Sequence, residues 1–238
     1  MQRFYLPPSD FSGDYASCQD KKLVSQIAKV LRAKEGDRFF IFNNLGGEYL
    51  AQLIKLDSNC AEFLLLDKRD DDKELKTKII IYQSLLKSDK LDLILQKLAE
   101  IGVYAVVPVV SDRCVVREVS PAKRKRYGEI IKEAIEQCGG TRLMEFGNLV
   151  NFHEAINWCS QQEGDKLISW EKEIDNNFKS EINNKIIHIF VGPEGGYEDE
   201  EIEGAKALGL KTVGLGKRIL RAETATIFVA SVLAMSGK

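Results

Sequence analysis

Beyond Lys76 the chain repeats one rhythm, and that rhythm limits the fold more than any other feature: short, almost continuously apolar runs alternate with longer amphipathic ones. The runs "TKIIIYQSLL", "VYAVVPVV", "KLISW" and "KIIHIFVG" lack polar alternation, as strands do when both faces of their sheet are covered. Between them "KLDLILQKLAEIG" sets Leu91, Ile94, Leu95, Leu98 and Ile101 on one helical face, and Gly102 marks its end. Helices from about Pro121 to Gln137, Phe152 to Gln162 and Tyr197 to Leu208, a short strand at "KTVGL" and a final apolar helix continue the alternation. The pattern predicts an α/β domain with a mostly parallel sheet between helices.

The first part of the chain reads differently. From Arg38 to Leu66, three apolar-rich runs are separated by Asn-Asn-Leu-Gly-Gly and Asp-Ser-Asn, which are hairpin signals. With a strand at Arg3 to Leu6 and a helix around Leu23 to Leu31, this predicts a small β-rich unit, a compact barrel. The stretch "DKRDDDKELK" is almost wholly charged and reads as a linker, so the expected domains are 1–72 and 73–238.

Composition excludes several functions. Lys and Arg total 34 against 36 acids, a net charge of -2, so a polyanionic partner needs a local basic patch. No apolar run reaches the roughly 18 residues of a membrane span, and "MQRFYLPPSD" lacks the pattern of a signal peptide, so a cytoplasmic protein is expected. The five cysteines include no C-x-x-C, and His153 and His188 are the only histidines, so no metal site or disulfide framework is expected.

Two glycine clusters follow late apolar runs: "VGPEGG" and "GLGKRILRAETA". The first lies where a strand turns into a helix, the usual ligand edge of a doubly wound sheet. It is neither a Walker A loop nor a dinucleotide fingerprint. The acids Glu198, Asp199, Glu200 and Glu201 that open the next helix suit the helix dipole and would repel an anion, so a neutral or cationic ligand fits better.

Together and in this order, the two clusters resemble the paired cofactor motifs of the SPOUT methyltransferases, in particular the RsmE family, which methylates N3 of a uridine in small-subunit ribosomal RNA. "LQKLAEIGV", "SDRC", "EQCGG" and the N-terminal "QIAKVLR" are similar to further family segments, and the resemblance runs nearly the whole chain. Gln26 stands where many members have His, and Gly140 where the family usually has Arg, leaving Arg142 as the nearest cation. The resemblance implies a PUA-like β-barrel that binds RNA, followed by an α/β domain with a deep trefoil knot. It also implies S-adenosylmethionine as cofactor, a homodimer, and ribosomal RNA or the assembled small subunit as partner. The alternatives are an RNA-binding or assembly protein without catalysis, and a related SPOUT enzyme acting on ribose.

On that resemblance, cofactor contacts are expected at Gly192, Glu194, Gly195, Leu215, Gly216, Ile219 and Leu220, with Leu85 closing the pocket. Glu194 has a second reading, as a cap on the following helix. Methylating uracil N3 releases a proton and spreads charge onto the ring oxygens, chemistry that an arginine and a carboxylate assist. Arg221, Glu223 and Arg113 are the candidates, against the plainer reading of Arg-x-Glu as a solvated pair. Arg117, Lys123, Arg124, Lys125 and Arg126, with Arg142, read as a phosphate footprint or as an ordinary charged helix face. Cys114 and Cys138 read as packed small residues, and His188 as a hydrogen-bonded core residue.

Overall fold

A computed structural model describes residues 1–69, 73–87, 89–173 and 184–236. It divides into two compact units, Met1–Glu74 with Ile135–Leu143, and Leu75–Ala134 with Met144–Lys238.

The first unit is a six-stranded sheet of β1 (Arg3–Tyr5), β2 (Phe11–Ser12), β3 (Tyr15–Cys18), β4 (Arg38–Phe42), β5 (Glu48–Leu56) and β6 (Ala61–Arg69), in the order β1-β4-β5-β6-β3-β2. The three runs between Arg38 and Leu66 are β4, β5 and β6, paired antiparallel as their turns predict. The β2–β3 hairpin has no counterpart in the sequence reading. Its strands are very short, and they turn at Gly13, whose φ of +57° suits glycine. Helix α1 (Lys21–Ser25) starts earlier than the apolar spacing suggests, because the Asp20 side chain caps it by accepting from the Lys22 amide. It runs on as a π turn over Gln26–Val30. Phe4, Leu23, Ile27, Phe39, Ile41 and Phe63 fill the core. Of the charged stretch 67–76, Asp67–Arg69 extend β6, and residues 70–72 lie outside the described residues.

The second unit carries the β/α alternation. Its strands are β7 (Lys78–Ser84), β8 (Ala105–Val110), β9 (Glu145–Phe146), β10 (Val150–Asn151), β11 (Asp165–Ser169), β12 (Ile186–Val191) and β13 (Lys211–Val213). All pairings are parallel, in the order β10-β8-β7-β12-β11-β13, with β9 on the same edge of β8 as β10. The late strand β12 thus inserts between β7 and β11. Helices α2 (Lys90–Ile101), α3 (Pro121–Cys138), α4 (Phe152–Ser160), α5 (Asp199–Ala207) and α6 (Ala222–Ser236) follow the expected positions. In α2, Leu91, Ile94, Leu95 and Leu98 are buried as their spacing predicts, and Gly102 ends the helix at φ +91°. Burying each such side chain contributes about 1.5–3 kcal/mol. Tyr82 of β7 stacks on Phe190 of β12 at 4.1 Å between ring centres, at the heart of the apolar cluster under α4 and α5. The last turn of α3 and the residues to Leu143 belong to the first unit, where the Glu74 carboxylate accepts from the amides of Thr141 and Arg142. Among the described residues, no helix is long and apolar enough to cross a membrane.

Candidate functional site

Three parallel strands deliver their carboxyl ends to one place. Ser169–Glu171 at the end of β11, Val191–Tyr197 after β12 and Leu215–Leu220 after β13 enclose a cavity of about 310 Å³, closed by Ala222 and Ala225 of α6. That is the lower range of small-molecule sites. Four of the lining residues, Gly192, Gly195, Gly196 and Gly216, are glycines, which present bare backbone to the wall. Gly216 holds φ +112°, a conformation side chains rarely adopt, and a Cβ built there would meet no atom within 4 Å, so the glycine borders open space. A Cβ on Gly195 would instead meet the Arg113 side chain at 3.3 Å, and one on Gly196, at φ +69°, would meet the Glu171 carboxylate at 3.0 Å.

The loop after β12 is held by charge on both sides. Arg113, in the loop after β8, donates to both carboxylate oxygens of Glu198 at 2.7 and 2.6 Å and to the Gly195 carbonyl at 2.8 Å. Hydrogen bonding to Glu198 raises the Arg113 pKa further, and the same contact lowers that of Glu198. Glu201 is buried and takes the amides of Asp112 and Glu198 at 3.0 and 2.9 Å. Burial pushes its pKa up, partly offset by those two hydrogen bonds. Asp199 pairs with Lys172. Glu198, Asp199 and Glu201 are therefore anchors for the loops around the cavity.

On the other side, Glu194 accepts from the Lys90 ammonium at 3.0 Å and the Lys87 amide at 3.2 Å. Burial raises its pKa, but the hydrogen bonds from its own amide, Lys90 and Lys87 outweigh this and leave it lowered. Lys90 also stands 3.5 Å from Glu223, one residue into α6. Lys90 was invisible as a site residue in the sequence: 104 residues separate it from Glu194.

The cavity wall includes Gly192, Glu194, Gly195, Leu215, Gly216, Ile219 and Leu220, with Lys217 and Arg218 between them. Leu85 is placed elsewhere. It is buried at the end of β7, where its amide donates to Val109, and does not line the cavity. Arg221 is exposed beside the wall residues Leu220 and Ala222 and pairs with no acid among the described residues. Arg117 makes long contacts to the Asp112 and Cys114 carbonyls, at 3.4 and 3.5 Å. Arg124 donates to the Phe146 and Gly147 carbonyls, and Arg126 is paired with Asp92. Arg142 lies in the first unit. Cys114 is buried, its thiol toward the Leu85 carbonyl, and Cys138 is an exposed free thiol. His188 is buried and bonded at both ring nitrogens. Among the described residues, no group of three metal-ligating side chains converges.

A parallel sheet whose carboxyl-end loops offer backbone to a small ligand, in a chain that carries a second, β-rich unit, defines a cofactor-binding α/β protein. The chain belongs to the RNA methyltransferase family: residues 73–234 match its RNA methyltransferase domain, and residues 27–66 match the RNA methyltransferase PUA domain. Its relatives include two proteins named ribosomal RNA small subunit methyltransferase E. The one from Mesomycoplasma hyopneumoniae is 32% identical over 84% of this chain and 86% of its own. The one from Bacillus subtilis is 29% identical over 88% and 86%. A crystal structure of the Neisseria gonorrhoeae protein of that name, bound to S-adenosyl methionine, superposes with a TM-score of 0.88, covering 99% of this chain and 97% of that one at 32% identity. A Legionella pneumophila methyltransferase structure in complex with the same cofactor also gives 0.88, over 99% and 97% at 27% identity.

Proposed function

We propose that this methyltransferase uses S-adenosylmethionine to methylate N3 of a uridine in small-subunit ribosomal RNA, in the cytoplasm. The observation that carries the reading is the glycine-lined cavity between the loops after β11, β12 and β13. Its residues fit the cofactor: Gly216 leaves its side of the wall open, and the lining acid Glu171 suits a ligand bearing positive charge. When bound, the cofactor supplies an activated methyl group on a cationic sulfur.

The chain's own residues then have distinct tasks. The loop amides and carbonyls of Gly192, Glu194, Gly195, Leu215, Gly216, Ile219 and Leu220 orient the ligand, and Arg113 holds the first of these loops rigid through Gly195 and Glu198. N3 lies on the Watson–Crick edge, so the target base must be unpaired or extruded to reach the site. Arg221, exposed beside the cavity and paired with no acid among the described residues, offsets negative charge growing on the uracil oxygens. Glu223, steadied by Lys90, assists departure of the N3 proton. Arg117, Lys123, Arg124, Lys125, Arg126 and Arg142 are assigned to phosphate contact. The reading includes a PUA-like RNA-binding domain over residues 1–72, a methyltransferase domain over 73–238 with a trefoil knot, and a homodimer. The exposed apolar residues Ile219, Phe228 and Met235 are what a second copy would cover.

The test is the modified nucleoside. Incubation with small-subunit ribosomal RNA or assembled subunits, followed by digestion and mass spectrometry, should yield 3-methyluridine. A ribose-methylated or 5-methylated product would overturn the assignment.

A further inference from the structure

Of the two acids lining the cavity, one is spoken for. Glu194 is neutralised by Lys90. Glu171 is different: no hydrogen bond or ion pair to its side chain is present among the described residues, although Lys172 is next in sequence and the Arg113 charge is near. Arg113 feels its charge, but the three contacts from that guanidinium go to Glu198 and Gly195. Lys172, next in sequence, is paired with Asp199. The carboxylate is nonetheless placed. Both its oxygens stand close to the Gly196 backbone, at 3.0 and 3.2 Å from where a Cβ would be, an approach only a glycine at this left-handed position permits.

We infer that Glu171 is the charge-selective residue of the cofactor site: its carboxylate faces the cationic sulfur of S-adenosylmethionine and favours it over the neutral thioether of the product S-adenosylhomocysteine. This rests on the cofactor reading above. The physical argument is differential. Substrate and product share the adenine, ribose and amino-acid groups, and backbone contacts from the glycine loops grip both equally. Only a group that senses the lost positive charge tells them apart, and only such a group weakens product binding once the methyl has left. Lys217 and Arg218, the other charged wall residues, have the wrong sign for that task.

The experiment is calorimetric titration of the full-length protein and its Glu171→Gln variant with three probes: S-adenosylmethionine, S-adenosylhomocysteine, and sinefungin, which carries an amine at the sulfur position. The variant keeps the shape and loses the charge. Affinity for the two cationic probes should fall about tenfold, as for loss of a charge-assisted contact, while that for S-adenosylhomocysteine moves less than about twofold. Unchanged thermal unfolding should accompany this. Equal losses for all three probes, or no loss for any, would overturn the inference. If the wild-type protein bound none of the probes, the cofactor reading itself would fail, a result distinct from either.

Discussion

Replacing Gly216 and Gly195 by alanine, one at a time, separates two things a glycine does beside a ligand. Both glycines sit in motifs that predict close backbone approach, yet their surroundings differ. At Gly216 the backbone holds φ +112°, and the added methyl would project into space with no atom within 4 Å. Holding a non-glycine residue in such a region costs about 1–3 kcal/mol. If the ligand requires the loop in this conformation, that cost appears in affinity as a loss of roughly 5- to 150-fold, before any overlap of the methyl with the ligand. Gly195 has no left-handed backbone to preserve. Its methyl would press on Cβ and Cδ of Arg113 at 3.3 Å, and that side chain, 41% exposed, has room to give. The expected change is under about threefold, as for an ordinary surface substitution. Calorimetric titration with S-adenosylmethionine, beside thermal melts to check folding, reads both. A Gly216→Ala protein binding within twofold of wild type, or a Gly195→Ala protein more impaired than it, would refute the reasoning.

Three further outcomes follow from the contacts around the cavity and the basic helix. Arg113→Lys should raise the KM for the cofactor about three- to tenfold with kcat within twofold, because losing the bidentate hold on Glu198 loosens the loop; a collapse of kcat at constant KM would place the guanidinium on the reacting base instead. Burial lowers the His188 pKa, with the hydrogen bond to Glu163 opposing and the Lys166 charge reinforcing, so the native state resists its protonation. Stability should therefore be complete above the unfolded value of about 6.5 and fall as pH drops below it, and urea titrations of His188→Gln should show a shallower fall. Lys123→Glu with Lys125→Glu should weaken RNA binding and reduce its slope against log salt by about 2; Arg124→Ala should reduce the slope by about 1 and also lower thermal stability, since that guanidinium serves two carbonyls of the fold as well, and slopes equal to wild type for all variants would remove this helix from the RNA footprint.

The alternation of buried runs and amphipathic helices was legible because burial on both faces writes itself locally: β7 is buried at five of its seven positions, and the α2 face repeats every three or four residues. The glycine clusters, which line the cavity, were visible for the same reason, since a residue chosen for its missing side chain needs no partner to be noticed. What could not be read is order in space. Nothing in the chain order tells that β12 enters between β7 and β11, and without that step Ser169–Glu171 is only a charged turn after a strand. The family resemblance puts Leu85 at the pocket, but the strand order brings the ends of β11, β12 and β13 to the cavity and leaves Leu85 in the core. The basic run was legible as charge, but not that Asp92 of α2 would meet Arg126 across 34 residues.

A site built from glycine-bearing loops moves much of the burden of accuracy from the residues that touch the ligand to those that suspend the loops. Each suspension here joins segments remote in sequence: Arg113 and Glu201 tie the loop after β8 to the entrance of α5, and Thr226 of α6 bonds Gln83 of β7 inside the core. Lys90 is the most consequential of them, because one ammonium holds both Glu194, on the loop after β12, and Glu223, the candidate catalytic carboxylate. That loop and the carboxylate therefore share a reference point on α2. A shift of either acid alters the field on the other through a few ångströms of half-buried space, where charges are weakly screened. The geometry thus couples the holding of the cofactor to the placing of the group that would assist the proton's departure, although the two motifs carrying them look independent in the sequence.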